Sequence, residues 1–157
     1  MYYCGEIEPR IIKDLLEPNT RKLIISTPGG CVYSAFGAVD VLRQLGDVDV
    51  TAVGYAMSAG VLLVAAGATR HAYPNTRFMV HAVSGGLCVD GAEQAQAESE
   101  EFAEVQRLYF EGLAKYTKKT AAWWRKKCAS APFYFDAAEA VRLGVIDDVL
   151  TVGQPSS

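Results

Sequence analysis

Histidine is scarce in this 157-residue chain, which has only His71 and His81, and the cysteines Cys4, Cys31, Cys88 and Cys128 form no C-x-x-C pair. That scarcity argues against a zinc site or a histidine-rich metal centre, and nothing in the spacing sets up a disulfide framework. Reduced thiols in a cytoplasmic protein are the simplest reading. The start, Met1-Tyr2-Tyr3-Cys4-Gly5-Glu6, lacks both the basic residue and the apolar run of a secretory signal. A dominant charge sign is lacking too: the formal net charge is -3, so no global bias toward nucleic acid exists. The local basic stretch of Lys115, Lys118, Lys119, Arg125, Lys126 and Lys127 reads as a solvated helix face. Val50 to Thr69 carries no charge and is long enough for a membrane span. It nevertheless contains Gly54, Ser58, Gly60 and Gly67, and changes from strand-like to helix-like halfway. A buried strand, a turn and a buried helix are expected there instead, with no membrane partner.

What is present is apolar material. Half of the residues are hydrophobic and 21% are charged, the balance of a globule. A chain of this length suits one domain over residues 1–157, burying about two-thirds of its unfolded surface. There is neither an internal repeat nor a low-complexity linker. Short apolar runs alternate with amphipathic stretches. Strands are expected at Tyr2 to Ile7, Lys22 to Ser26, Val48 to Val53, Phe78 to Val80 and Val145 to Leu150. Helices are expected from Pro9 to Leu16, from Val32 to a stop at Gly46, and over Ala59 to Ala66. A capping box of Asp90 with Glu93 opens a long helix toward Tyr116, Thr120 starts another, and Asp136 with Glu139 caps a short one ending near Gly144. This alternation indicates an α/β fold around a largely parallel sheet. In such sheets working residues collect at the carboxyl ends of strands, where Pro28-Gly29-Gly30, Ser58 and His81 all fall.

A serine hydroxyl becomes a useful nucleophile when a base takes its proton and N–H donors stabilise the oxyanion. Ser58 sits where a strand gives way to a helix, which exposes the hydroxyl and aims backbone N–H groups at it. On local pattern alone, a plain helix cap is the commoner explanation of such a serine. Gly29 and Gly30 permit a backbone that leaves a free N–H, or simply make a tight turn. His81 ends an apolar strand, as a base or as a histidine bonded to a carbonyl. His71 lacks that strand-end setting and reads as a surface residue.

In their order and spacing, these segments resemble the ClpP family of serine peptidases, within the ClpP/crotonase superfamily. The matching pieces are Ile25-Ser26-Thr27-Pro28-Gly29-Gly30, Gly54-Tyr55-Ala56-Met57-Ser58-Ala59-Gly60, Ala66-Gly67-Ala68, Pro74-Asn75-Thr76-Arg77-Phe78-Met79-Val80-His81 and Ala138-Glu139-Ala140-Val141-Arg142-Leu143-Gly144-Val145-Ile146-Asp147. The resemblance implies repeated β-β-α units and a protruding strand-helix handle, here running from Ser84-Gly85-Gly86 to Tyr116. It implies a serine-type endopeptidase without cofactor, with Ser58 as nucleophile, His81 as general base and the N–H groups of Gly30 and Ala59 as oxyanion hole. Peptides or unfolded proteins would be cut inside a homo-oligomeric chamber of heptameric rings. Glu93, Glu98, Glu100, Glu101 and Glu104 would help ring packing or form a solvated face.

Two departures from the family pattern are visible. The position of its acidic triad member is Pro132 here, or Ala131 after a one-residue slip, while Asp136 is accounted for as a helix cap. Disabling that acid in a well-characterised triad lowers turnover about ten-thousand-fold. The chain is also expected to lack most of the family's N-terminal axial segment, which leaves docking of an unfoldase ATPase open. The alternatives are a catalytically silent ring subunit or scaffold, and a crotonase-like acyl-CoA enzyme.

Overall fold

A computed structural model describes residues 1–84 and 92–151, with residues 92–95 described in the backbone only. The fold is mixed α/β, built on a seven-stranded and largely parallel sheet. β1 (Tyr2–Cys4) leads into α1 (Arg10–Leu15), and β2 (Lys22–Thr27) lies parallel to β1. α2 (Val32–Leu45) stops at Gly46 as its sequence indicates. β3 (Asp49–Met57) runs parallel to β2 and is the longest strand. It ends directly at Ser58, from which α3 (Ala59–Ala65) departs.

β3 serves two neighbours in succession. Its first part, Asp49 to Ala52, pairs with β4 (Thr69–Ala72), and its last part, Tyr55 to Met57, pairs with β5 (Arg77–Val80). The pairing of Met57 with Met79 brings the ends of β3 and β5 side by side, so Ser58 and His81 emerge at the same edge. β6 (Phe133–Asp136) lies antiparallel to β5, and β7 (Asp148–Val149) parallel to β4. α4 (Ala92–Tyr116), α5 (Ala121–Lys127) and α6 (Ala137–Leu143) complete the chain.

All seven residues of α3 are buried. So short a helix has little stability in water, and its order comes from packing against the sheet and against α2 and α4. Leu23, Ile25, Val50, Ala52 and Ala56 are fully buried in β2 and β3, as in a parallel sheet covered on both faces. The apolar stretch from Val50 therefore divides into β3 and α3, and among the described residues no helix is long and apolar enough to cross a membrane.

Four sequence expectations need correction. β4 is a strand that the polar Thr69-Arg70-His71-Ala72 does not announce, since only Ala72 is buried. His71 is accordingly partly buried within β4 and pairs with Asp148 of β7, and is not a simple surface residue. β6 is a further strand, hidden in an aromatic run that reads as a lead-in to α6. β7 is much shorter than Val145 to Leu150, because Val145 N–H turns back to the Ala140 carbonyl at 2.9 Å and the buried Val145 and Ile146 pack on α6. The capping box at Asp90 and the strand through Gly85 and Gly86 lie outside the described residues.

Candidate active site

The turn after β2 is held by its own side chain: Thr27 is fully buried, and its Oγ1 accepts the Gly29 N–H at 3.1 Å. Two close approaches make glycine necessary next to it. A Cβ on Gly29 would lie 2.6 Å from Ser58 Cβ, and one on Gly30 would lie 2.6 Å from both the N and O of Ile7. Both glycines also have positive φ, 101° and 142°. Ile7 donates to the Gly29 carbonyl at 2.7 Å and accepts from Cys31 N–H at 2.9 Å. Among the described residues, that parallel bridge uses the groups on either side of Gly30 and not the Gly30 N–H.

Ser58 has φ 53° and ψ -127°, a conformation that costs a non-glycine residue about 1–3 kcal/mol. The surroundings over-determine it. Ser58 N–H donates to the Met79 carbonyl at 2.7 Å, and the Ser58 carbonyl accepts from Val61 N–H at 3.0 Å and from Tyr109 Oη at 2.9 Å. The Ser58 side chain makes no capping bond to α3, so the simple helix-cap explanation does not describe it. Ala59 opens α3, where the first N–H groups have no acceptor within the helix.

Ser58, Ala59, His81 and Gly30 line one cavity of about 430 Å³, together with Pro28, Cys31, Val32, Tyr33, Val83, Ser84 and Tyr109. The four residues read from the sequence thus share one space. A largely apolar recess of about 300 Å³ adjoins it, lined by Val32, Val83, Phe102 and Val105 together with Tyr33, Ser84, Glu98 and Glu101. Two of these residues are joined, since Tyr33 Oη donates to Glu101 Oε1 at 2.8 Å.

The acid position is also defined. β5 and β6 pair Val80 with Phe133 as the last pair of their ladder, and His81 and Pro132 are the residues that adjoin that pair on the two strands. Among the described residues no carboxylate pairs with the His81 ring. Asp136 stands opposite Arg77 at the far end of β6, where its Oδ1 accepts Glu139 N–H at 2.7 Å. Asp136 is a helix cap and is directed away from His81's end of the ladder.

Three residues of this neighbourhood have no signal in the sequence. Tyr109 is only 2% exposed on α4, and burial pushes its phenol far above the ordinary range. Cys128, buried at the end of α5, donates from Sγ to the Val80 carbonyl at 3.4 Å, and burial raises its thiol. Cys31 is exposed at the cavity, and the facing hydroxyl and N–H of Ser34 lower its thiol. The hydrogen-bond partners of Tyr109 and Cys128 lie on distant elements, which no local pattern announces.

The fold and this strand-end pocket define a ClpP-like α/β architecture. A family model described as Clp protease matches residues 14–153. The ATP-dependent Clp protease proteolytic subunit 2 of Thermobifida fusca (strain YX) is 33% identical over 155 residues, covering 93% of this chain and 75% of that protein. The protein of the same name from Chlamydia pneumoniae is 34% identical over 145 residues, covering 83% and 64%. The ATP-dependent Clp protease proteolytic subunit 1 of Rhodococcus jostii (strain RHA1) is 32% identical over 144 residues, covering 89% and 65%. This chain belongs to the Clp protease family. It spans between 64% and 75% of the length of these relatives.

Proposed function

We propose that this protein is a serine-type endopeptidase in which Ser58 attacks the substrate carbonyl and His81 accepts its proton. The observation that carries this reading is the common cavity of Ser58, His81, Gly30 and Ala59. Attack forms a tetrahedral intermediate whose oxyanion is received by the Gly30 and Ala59 N–H groups. Collapse breaks the C–N bond, His81 returns the proton to the leaving amine, and water attacks the acyl-enzyme by the same route. The adjoining recess of Val32, Val83, Phe102 and Val105 suits an apolar substrate side chain.

Nearly all of the described buried hydrophobic residues share one core, which supports a single peptidase domain. The relatives are named subunits, and the exposed stretch of α4 from Gln96 to Glu101 offers surface for neighbouring copies. We infer a homo-oligomeric ring enclosing the cavities. An ATPase partner is the corresponding inference from the words ATP-dependent in the relatives' names.

A fluorophosphonate probe is expected to label the protein, and Ser58→Ala to abolish labelling. Labelling that persists in Ser58→Ala would remove this serine from the role. Cleavage of fluorogenic peptides should require both Ser58 and His81. Pro132 favours one second reading, a ring subunit without catalysis, which resistance of the assembled protein to the probe would establish. Family membership favours both readings over an acyl-CoA enzyme.

A further inference from the structure

We propose that Tyr109 and Cys128 are positioning residues of this site, two buried donors that hold the backbone of the nucleophile and of the base at their working separation. The inference deepens the serine-peptidase reading and rests on it. Each donor comes from an outer helix and acts on a carbonyl next to the chemistry. Tyr109 Oη reaches the carbonyl of Ser58 itself at 2.9 Å. Cys128 Sγ reaches the carbonyl of Val80 at 3.4 Å, and that carbonyl belongs to the peptide group leading into His81.

The two contacts are joined through the sheet. Ser58 N–H donates to the Met79 carbonyl at 2.7 Å, so the backbone of Ser58 is tied to β5 on one side and to α4 on the other. With Val61 N–H already at 3.0 Å on the Ser58 carbonyl, the Tyr109 hydroxyl fills that oxygen's second lone pair. Burial keeps both side chains protonated, and therefore donors, across the physiological range. Neither contact is needed to complete regular secondary structure. Their common effect is to fix two peptide planes whose side chains must meet.

The need for such restraint follows from Pro132. A carboxylate facing the far ring nitrogen would orient the imidazole directly. Among the described residues no carboxylate pairs with His81, and the Cys128 contact acts on the peptide group from which its ring projects. Small displacements matter here, since a misplacement of about 1 Å can lower a rate roughly a hundredfold.

The test compares Tyr109→Phe, Cys128→Ala and Cys128→Ser with the wild-type protein. Rates of fluorophosphonate labelling, kcat and KM for a fluorogenic peptide, and the carbonyl carbon resonance of Ser58 are measured. Tyr109→Phe is expected to slow labelling about ten- to a hundredfold. The loss should appear in kcat with KM held, and the Ser58 carbonyl resonance should move upfield as its donor is lost. Cys128→Ala should slow labelling similarly, while Cys128→Ser, which retains a donor, should restore most of the rate. This pair keeps the proposal testable should Tyr109→Phe not fold. Ser58-dependent labelling at unchanged rates in Tyr109→Phe and Cys128→Ala overturns this inference alone, as does a change confined to KM. A wild-type protein that resists the probe overturns the serine reading together with it.

Discussion

Pro132 has no N–H and no side-chain acceptor, yet it adjoins the last pair of the β5–β6 ladder, at the same end as His81. Its exposure leaves room for a polar side chain. Pro132→Asp should therefore place a carboxylate within reach of the imidazole and raise kcat by roughly ten- to a hundredfold, part of the ten-thousand-fold associated with an orienting acid. The peptide assay checks it, and an unchanged kcat would mean that the ring is already held. Gly30→Ala tests the opposite face of the site. Its Cβ would meet Ile7 N and O at 2.6 Å, and backbone cannot yield as a flexible side chain can. Loss of labelling is expected, with a lowered midpoint in thermal unfolding. At this scale Gly30, Ser58 and His81 are legible in the sequence because each belongs to a short contiguous motif. Tyr109 and Cys128 are not, because their acceptors, Ser58 and Val80, lie 51 and 48 residues away.

Among the elements, β4 carries one side chain that reaches three other segments. Arg70 donates from Nη1 to the carbonyls of Tyr116 and Gly144, each at 2.8 Å, and pairs with Asp147. It thereby ties the end of α4, the cap of α6 and the approach to β7 to the sheet. Arg70→Met should destabilise the fold by about 2 kcal/mol, the scale of hydrogen bonds to a charged group. For a domain of this size that lowers Tm by roughly 4–8 °C, measurable by calorimetry. The pH dependence has a defined sign. Hydrogen bonding to Arg70 holds the Asp147 carboxyl below its ordinary value, against a smaller opposing effect of burial. The contribution is complete above that ordinary value, near pH 4, and is lost as pH falls through the lowered folded value. The difference in stability between wild type and Arg70→Met should therefore narrow on acidification below about pH 4. β4 is hidden in the sequence for the same reason it matters. Thr69, Arg70 and His71 are polar because they pair with Asp49, Asp147 and Asp148, and an alternating apolar pattern never develops.

For the whole molecule, the parallel sheet and the order of its helices are readable from alternation alone, since parallel strands need crossovers that the helices supply. The antiparallel β6 escapes that logic, because its pairing with β5 joins residues more than fifty positions apart. Assembly is a property of this scale. Mass photometry is expected to find particles of seven 17.0 kDa chains or a multiple of seven. A monomer under conditions where the chain is folded would contradict the proposed chamber. Surface aromatics such as Tyr2, Tyr33 and Tyr134, which are 63%, 56% and 54% exposed, would then be scattered solvent contacts.

The bond from Ser58 N–H to the Met79 carbonyl also carries a temporal consequence. A chain growing from its amino end presents Ser58 to solvent well before Met79, and longer still before Tyr109. During that interval the serine lacks the neighbours that shape its backbone. Under the proposed function, hydrolytic capacity therefore cannot precede the synthesis and docking of Met79 and Tyr109.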